Sequence, residues 1–150
     1  MHFTLHLTDS CNLACRYCYV RQGSGSMSEE VARAAVRLAA GSGGSNGIIF
    51  FGGEPLLCLD RIRSTVDYAE NLQAKGQGRF HFKITTNGTL LDEDFLQYSD
   101  AHQIFIALSH DGIRAAHDLN RVRDDGTGTF DELTSKARQL LAHRPYAPVL

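Results

Sequence analysis

The chain has 150 residues, 43% hydrophobic and 21% charged, a balance that suits one folded domain and excludes a disordered or fibrous polymer. Fifteen basic against seventeen acidic residues leave a formal charge of -2, without the basic stripe that tracks phosphates, so nucleic acid is not an expected partner. No apolar run approaches the roughly 18 residues of a membrane span, and residues 1–8 lack the charged and apolar regions of a secretion signal; the expected location is cytoplasmic, with no membrane partner.

Phe3, Leu5 and Leu7 alternate with Thr4, His6 and Thr8, the period-two pattern of a strand, which stops at Asp9-Ser10. Cys11, Cys15 and Cys18 follow within eight residues while Cys58 stands apart, a poor disulfide framework but a good metal-binding one in a reducing compartment. After a Gly/Ser loop at 23–26, Met27, Val31, Ala34, Ala35 and Leu38 recur at helical spacing, with Ser26 and Glu29 as a capping box and Gly41 beyond the end. A second Gly/Ser connection at 41–47 leads into the apolar run 48–51, read as a strand covered on both faces and ended by Gly52-Gly53. Leu59, Ile62, Val66 and Ala69 form the next helical face, closed by Lys75-Gly76, and Phe80, Phe82 and Ile84 form a third strand ending at Thr86-Asn87-Gly88. Asp92 caps a short helix through Phe95, Leu96 and Tyr98, and residues 104–108 read as a fourth strand ending at Ser109-His110-Asp111-Gly112. Thr129 and Glu132 form a capping box for a helix with Phe130, Leu133, Ala137, Leu140 and Leu141 on one face, and residues 147–150 open a fifth strand.

Strand and helix in regular alternation imply an α/β fold with a parallel sheet and right-handed crossovers, either doubly wound or part of a barrel. A closed eight-unit barrel takes about 250 residues, or about 31 per unit, so this chain supplies about four units and the start of a fifth strand. The expectation is a single domain over 1–150 with an open sheet edge, which a partner chain or a further C-terminal segment would cover.

In such sheets ligands bind beyond the carboxyl ends of the strands. The three cysteines, then Gly52-Gly53-Glu54-Pro55, then Thr86-Asn87-Gly88, then Ser109-His110-Asp111 all fall on that rim. Three thiolates suit an iron-sulfur cluster with one iron left open, whereas structural zinc needs a fourth ligand from His2, His6 or Cys58. A structural loop of thiols is the third reading. Taken singly, Gly52-Gly53 and Asn87-Gly88 are turn dipeptides, and Ser109 and Asp111 are local hydrogen-bonding groups. Glu54 reads equally as a buried structural carboxylate or a ligand contact, Cys58 as a small buried hydrophobe, and the two Gly/Ser loops as exposed connections.

The run Cys11-Asn12-Leu13-Ala14-Cys15-Arg16-Tyr17-Cys18 resembles the signature of the radical S-adenosylmethionine enzymes. Phe51-Gly52-Gly53-Glu54-Pro55, Thr85-Thr86-Asn87-Gly88-Thr89, Leu108-Ser109-His110-Asp111-Gly112, Asn120-Arg121 and Gly128-Thr129-Phe130 follow in an order similar to the branch of anaerobic sulfatase maturases and peptide maturases. The resemblance implies a partial (β/α) barrel of the TIM type, here truncated, with Cys11, Cys15 and Cys18 on a 4Fe-4S cluster whose fourth iron is chelated by S-adenosylmethionine. It implies further that the reduced cluster cleaves the cosubstrate to a 5'-deoxyadenosyl radical, which abstracts hydrogen from a peptide or protein side chain. The electron would come from a reductant such as flavodoxin or ferredoxin. By the same resemblance Gly52 and Gly53 open the main chain to the methionine amino group, with Glu54 beside them. Tyr17 lies near adenine, Asn87, Ser109 and Asp111 offer polar groups at the rim, and Arg121 pairs with the methionine carboxylate. A side chain at Gly53 is expected to block the cosubstrate while sparing the cluster. Two departures stand out, the absence of later strands and of a later cysteine pair for auxiliary clusters, and they support an alternative, a cluster-binding module without independent catalysis.

Overall fold

The alternating segments form β1 (His2–Thr8), β2 (Ser45–Gly52), β3 (Arg79–Thr86) and β4 (Ile104–Leu108). In the computed structural model, which describes residues 1–143, these strands lie side by side in chain order and every pairing is parallel. Between and after them run α1 (Glu29–Gly41), a short 3-10 turn (Pro55–Cys58), α2 (Leu59–Ala74), α3 (Glu93–Ala101), α4 (Arg114–Asn120) and α5 (Phe130–His143). The expected fifth strand at 147–150 lies outside the described residues.

Register explains which side chains make the core. Phe3, Ile48, Phe82 and Ile104 form one row across the sheet, and Leu5, Phe50, Ile84 and Ile106 the next row on the same face. Val36 and Ala39 of α1, Ile62, Val66 and Ala69 of α2, Phe95 and Leu96 of α3, and Leu133, Ala137 and Leu140 of α5 join them in one cluster. Each large side chain so buried stabilises the fold by about 1.5–3 kcal/mol before entropy is counted. The opposite face carries the row Thr4, Ile49, Lys83, Phe105 and, nearer the carboxyl ends, the pairs His6 with Phe51 and Thr85 with Ala107. Among the described residues that face is only partly covered, with Phe105 45% exposed and Ala107 buried. The expectation that β2 is covered on both faces is therefore corrected: Ile48 and Phe50 are buried, but Ile49 and Phe51 are half-buried.

Helix ends depart from the sequence expectations in instructive ways. The N-cap of α1 is Ser28, whose hydroxyl accepts the Val31 N–H at 3.3 Å, and Ser26 instead bridges Thr8. Its buried stripe is Ala32, Val36 and Ala39, leaving Val31 and Leu38 at 53% and 67% exposure. Alanines fill both candidate stripes, and small side chains allow close approach to the sheet, so size rather than apolarity selects the face. The connection expected at 41–47 is shorter, because Ser45 already begins β2. Buried Asn46 closes the end of α1, donating to the carbonyls of Ala39 at 2.9 Å and Gly43 at 3.1 Å. Asp92 caps α3 as expected, accepting the Phe95 N–H at 2.8 Å. At α5 the expected box is absent: Asp118 accepts the Phe130 N–H at 2.9 Å, the Thr129 hydroxyl donates to Arg121 O at 2.9 Å, and Leu141 is 39% exposed.

Candidate functional site

The loop carrying the cysteines leaves the carboxyl end of β1 and is tied down on three sides. Toward β2, Gly53 N–H donates to Thr8 O at 2.7 Å and Glu54 N–H to Ser10 O at 2.9 Å. This approach requires glycine. Gly52 has φ +129°, and a Cβ built on Gly53 would lie 2.1 Å from Ser10 O. A side chain at Gly53 therefore presses on the backbone leading into Cys11. On the second side, residues 23–27 fold back along the strand end: Met27 N–H donates to Leu7 O at 2.7 Å, the Thr8 hydroxyl to Gly25 O at 2.7 Å, and the Ser10 hydroxyl to Gly23 O at 2.7 Å. That Gly/Ser stretch is solvent-exposed, as expected, but it braces the site rather than merely connecting elements. On the third side, Ala14 N–H donates to Val122 O at 2.7 Å and Arg16 N–H to Asn120 O at 2.9 Å.

All four cysteines are free; Cys11 and Cys15 are half-buried and Cys18 is exposed. Burial is the main influence raising the Cys11 thiol above its ordinary pKa, opposed by a hydrogen bond from Leu13 N–H; burial likewise raises Cys15, opposed by the positive charge of Arg121. A metal that binds these sulfurs as thiolates must displace their protons, which soft iron or zinc does readily. The other proposed zinc ligands are engaged elsewhere. Cys58 packs against the core at the head of α2, His2 sits at the far end of β1 with its ring edge against His81, and His6 rests edge-on to Phe51 at 5.3 Å.

Glu54 is fully buried. Its Oε1 accepts from Leu56 N–H at 3.0 Å and the Thr86 hydroxyl at 2.7 Å, and its Oε2 accepts from Asn87 N–H at 2.8 Å. Burial pushes its pKa above the ordinary glutamate value and these donors oppose that shift. The carboxylate thus joins the ends of β2 and β3. From there the Asn87 side chain reaches the cysteine loop, donating through Nδ2 to Asn12 Oδ1 at 2.9 Å and to Cys11 Sγ at 3.7 Å. Asn12 Nδ2 returns to the Thr89 hydroxyl at 2.8 Å.

The opposite end of the loop meets the turn after β4. The Tyr17 hydroxyl donates to the Asp111 carboxylate at 2.9 Å, Arg121 Nε donates to the same carboxylate at 2.9 Å, and the Arg121 guanidinium lies 5.3 Å from the Tyr17 ring centroid. Burial and then the bond to Asp111 push the Tyr17 phenol up to about 12. Ser109 N–H pairs with Thr86 O at 3.0 Å, placing the β4 turn beside that of β3. His110 closes its own turn, its Nδ1 accepting Gly112 N–H at 2.9 Å. All eleven expected residues thus lie on the carboxyl-end rim.

His117, fully buried, is a further member that the sequence reading missed. The Thr129 hydroxyl gives its proton to Arg121 O, so Thr129 Oγ1 must accept from His117 Nε2 at 3.1 Å, which leaves His117 Nδ1 as the acceptor for Asp111 N–H at 3.4 Å. Burial lowers its pKa, consistent with this neutral tautomer. One imidazole thereby braces both Asp111 and the backbone of Arg121. Its place within a short helix gave no periodic signal, and only the pairing of residues 111 and 129 reveals it.

A groove of about 890 Å³ lined by Arg37, Gly44, Leu72 and Gly78 lies at the other end of the sheet and contains no cysteine, histidine or carboxylate. The three clustered cysteines lie instead at the carboxyl ends of the strands.

Four parallel strands bear three free thiols on their first carboxyl-end loop and glycine, amide and carboxylate groups on the next three, the rim of an α/β sheet at which ligands bind in this class of fold. Residues 5–144 match the family model of the Radical SAM superfamily, and the chain belongs to that family. It is 29% identical over 140 residues to a cysteine-type anaerobic sulfatase-maturating enzyme of Clostridium perfringens (strain 13 / Type A), a match covering 87% of this chain and 38% of the relative. It is 35% identical over 118 residues to an S-adenosylmethionine-dependent nucleotide dehydratase of Lacinutrix mariniflava, covering 72% of this chain and 23% of that one. Its fold matches native anSMEcpe with bound AdoMet and Cp18Cys peptide at TM-score 0.85 and 27% identity, covering 95% of this chain and 40% of that chain. The chain spans well under half the length of these relatives.

Proposed function

We propose that Cys11, Cys15 and Cys18 hold a 4Fe-4S cluster and that the protein uses S-adenosylmethionine to modify a peptide or protein side chain. The observation carrying this reading is three free thiols on one braced loop, set beside the turns after β2, β3 and β4. When bound, the cluster and cosubstrate supply reductive cleavage of a carbon-sulfur bond, which initiates hydrogen abstraction from the substrate. This chain's residues bind and orient. Tyr17 borders the adenine position, and the main chain at Gly52 and Gly53 faces the methionine amino group. Ser109 and Asn87 line the rim. Arg121 gives its Nε to Asp111, and among the described residues its Nη atoms have no hydrogen-bond partner, which leaves them for the methionine carboxylate. Asp111 holds Arg121 and Tyr17, and Glu54 holds the rim together. The electron donor is a low-potential carrier of the flavodoxin or ferredoxin class. Peptide substrate is favoured by the likeness to sulfatase-maturating enzymes and to a peptide-bound structure.

The partly covered face of the sheet opposite the core, where Phe105 is 45% exposed, favours a second reading in which the chain holds the cluster without independent turnover. Anaerobic reconstitution followed by electron paramagnetic resonance of the reduced protein separates the readings. The leading one expects a 4Fe-4S signal perturbed by S-adenosylmethionine and release of 5'-deoxyadenosine; the second expects the signal without the nucleoside. Cys15→Ala is expected to abolish the signal. Tightly bound zinc without acid-labile sulfide overturns both.

A further inference from the structure

The three thiols are not equivalent. Cys11 Sγ receives two N–H donors, Leu13 N at 3.5 Å and Asn87 Nδ2 at 3.7 Å, whereas among the described residues neither Cys15 nor Cys18 sulfur receives one. The Asn87 amide has one allowed orientation. Its Oδ1 accepts from Thr89 N–H at 3.0 Å and from the Thr89 hydroxyl at 2.8 Å, so Nδ2 must be the atom facing Cys11 and Asn12. Closing the turn after β3 uses only Oδ1; the amide nitrogen is not needed for it and is directed wholly at the cysteine loop. Asn87 is buried at 8% exposure, and its backbone is fixed to Glu54, so the donor sits on a rigid strand end in low dielectric.

We propose that Asn87 is a positioning residue that tunes the cluster, its side-chain N–H donating to the Cys11 sulfur and thereby raising the reduction potential. This rests on the cluster reading above. Reduction adds one electron, delivered by the low-potential carrier, and makes the thiolate-bound centre more negative. A dipole directed at one sulfur stabilises that state more than the oxidised one. No proton moves at Asn87. The buried amide therefore narrows the gap between the electron donor and the centre it must reduce.

The test is an anaerobic redox titration, followed by electron paramagnetic resonance, of the wild type, Asn87→Ser, Asn87→Asp and Thr89→Val. Serine keeps an oxygen able to accept Thr89 N–H and so preserves the turn, but it is too short to donate to Cys11. Asn87→Ser is expected to lower the midpoint potential at unchanged iron and sulfide content, and Asn87→Asp to lower it further because an anion replaces the donor. Thr89→Val, which leaves the donor in place, is expected to move it least. A merely structural Asn87 would instead lower cluster content while the remaining cluster kept the wild-type potential, and that result overturns the proposal. If the wild type assembles no cluster, the functional reading fails and the proposal with it; if it does and the midpoints coincide, only the proposal fails.

Discussion

The two ends of the cysteine loop are held by different physics. At Cys11 the loop is joined to β2 by backbone bonds and to β3 through Glu54, Thr86, Asn87 and Thr89, all of them at most 9% exposed. At Cys18 it is held by the Arg16 bond to Asn120 and by the Tyr17 hydroxyl on Asp111, with Tyr17 51% and Tyr19 70% exposed. Removing one partner from a buried, fully satisfied polar network costs about 1–3 kcal/mol per orphaned group, whereas an exposed polar pair contributes about 0–1 kcal/mol. One end is therefore a fixed reference and the other is free to adjust. Under the proposed cluster reading, Cys11 is the anchored ligand of the loop and Cys18 the adjustable one.

The largest effect should come from Gly53→Val, which breaks the fixed end directly. Its Cβ falls 2.1 Å from a backbone oxygen, so the strand end and the loop must separate. A loss of about 3 kcal/mol in urea unfolding, with loss of cluster on reconstitution, is expected. Retention of full iron content would show that the β2 contact does not define the loop.

Glu54→Gln should cost less, about 2 kcal/mol at neutral pH, because the amide presents a donor to Asn87 N–H or to Leu56 N–H whichever way it turns. It also has a pH signature. Folded Glu54 keeps its proton to higher pH than the ordinary value of 4.5, so above that value the folded state binds more protons than the unfolded chain. Its contribution to stability therefore declines as pH rises from about 4.5 toward the raised value and is flat beyond. Urea midpoints of wild type and variant across that range should show this component of the slope only in the wild type.

The rim, though not the asymmetry along it, could be read from the sequence. The alternation in Phe3, Leu5 and Leu7 and the turn residues after each strand place all four rim clusters on one end of a parallel sheet, because the carboxyl ends of parallel strands share one edge. What escaped were contacts between residues far apart in the chain. Asn46 capping α1, Asp118 capping α5, and Asn120 and Val122 receiving the cysteine loop leave no periodic trace, since one polar side chain or backbone group suffices for each. The α1 stripe was misjudged because alanines on both faces flatten the contrast on which periodicity depends. Glu54 reads from sequence evenly as structural carboxylate or ligand contact, and the three donors that engage its buried carboxylate leave no periodic trace either.

The smallest effect probes the adjustable end. Tyr17→Phe removes an exposed hydroxyl and should change stability by less than about 0.5 kcal/mol. The same phenol reports on its neighbour, since burial and the Asp111 carboxylate hold it up to about 12. In Asp111→Asn the acceptor loses its charge while Arg121 stays nearby, so an ultraviolet titration should show one tyrosine ionising closer to the ordinary value of 10, a change absent when Tyr17→Phe is combined with it. Asp111→Asn should also free Arg121 and weaken S-adenosylmethionine binding while iron content is retained. If it instead removed the cluster or destabilised the fold as much as Gly53→Val, the Cys18 end would be as rigidly fixed as the Cys11 end, and the division of labour along the loop would not hold.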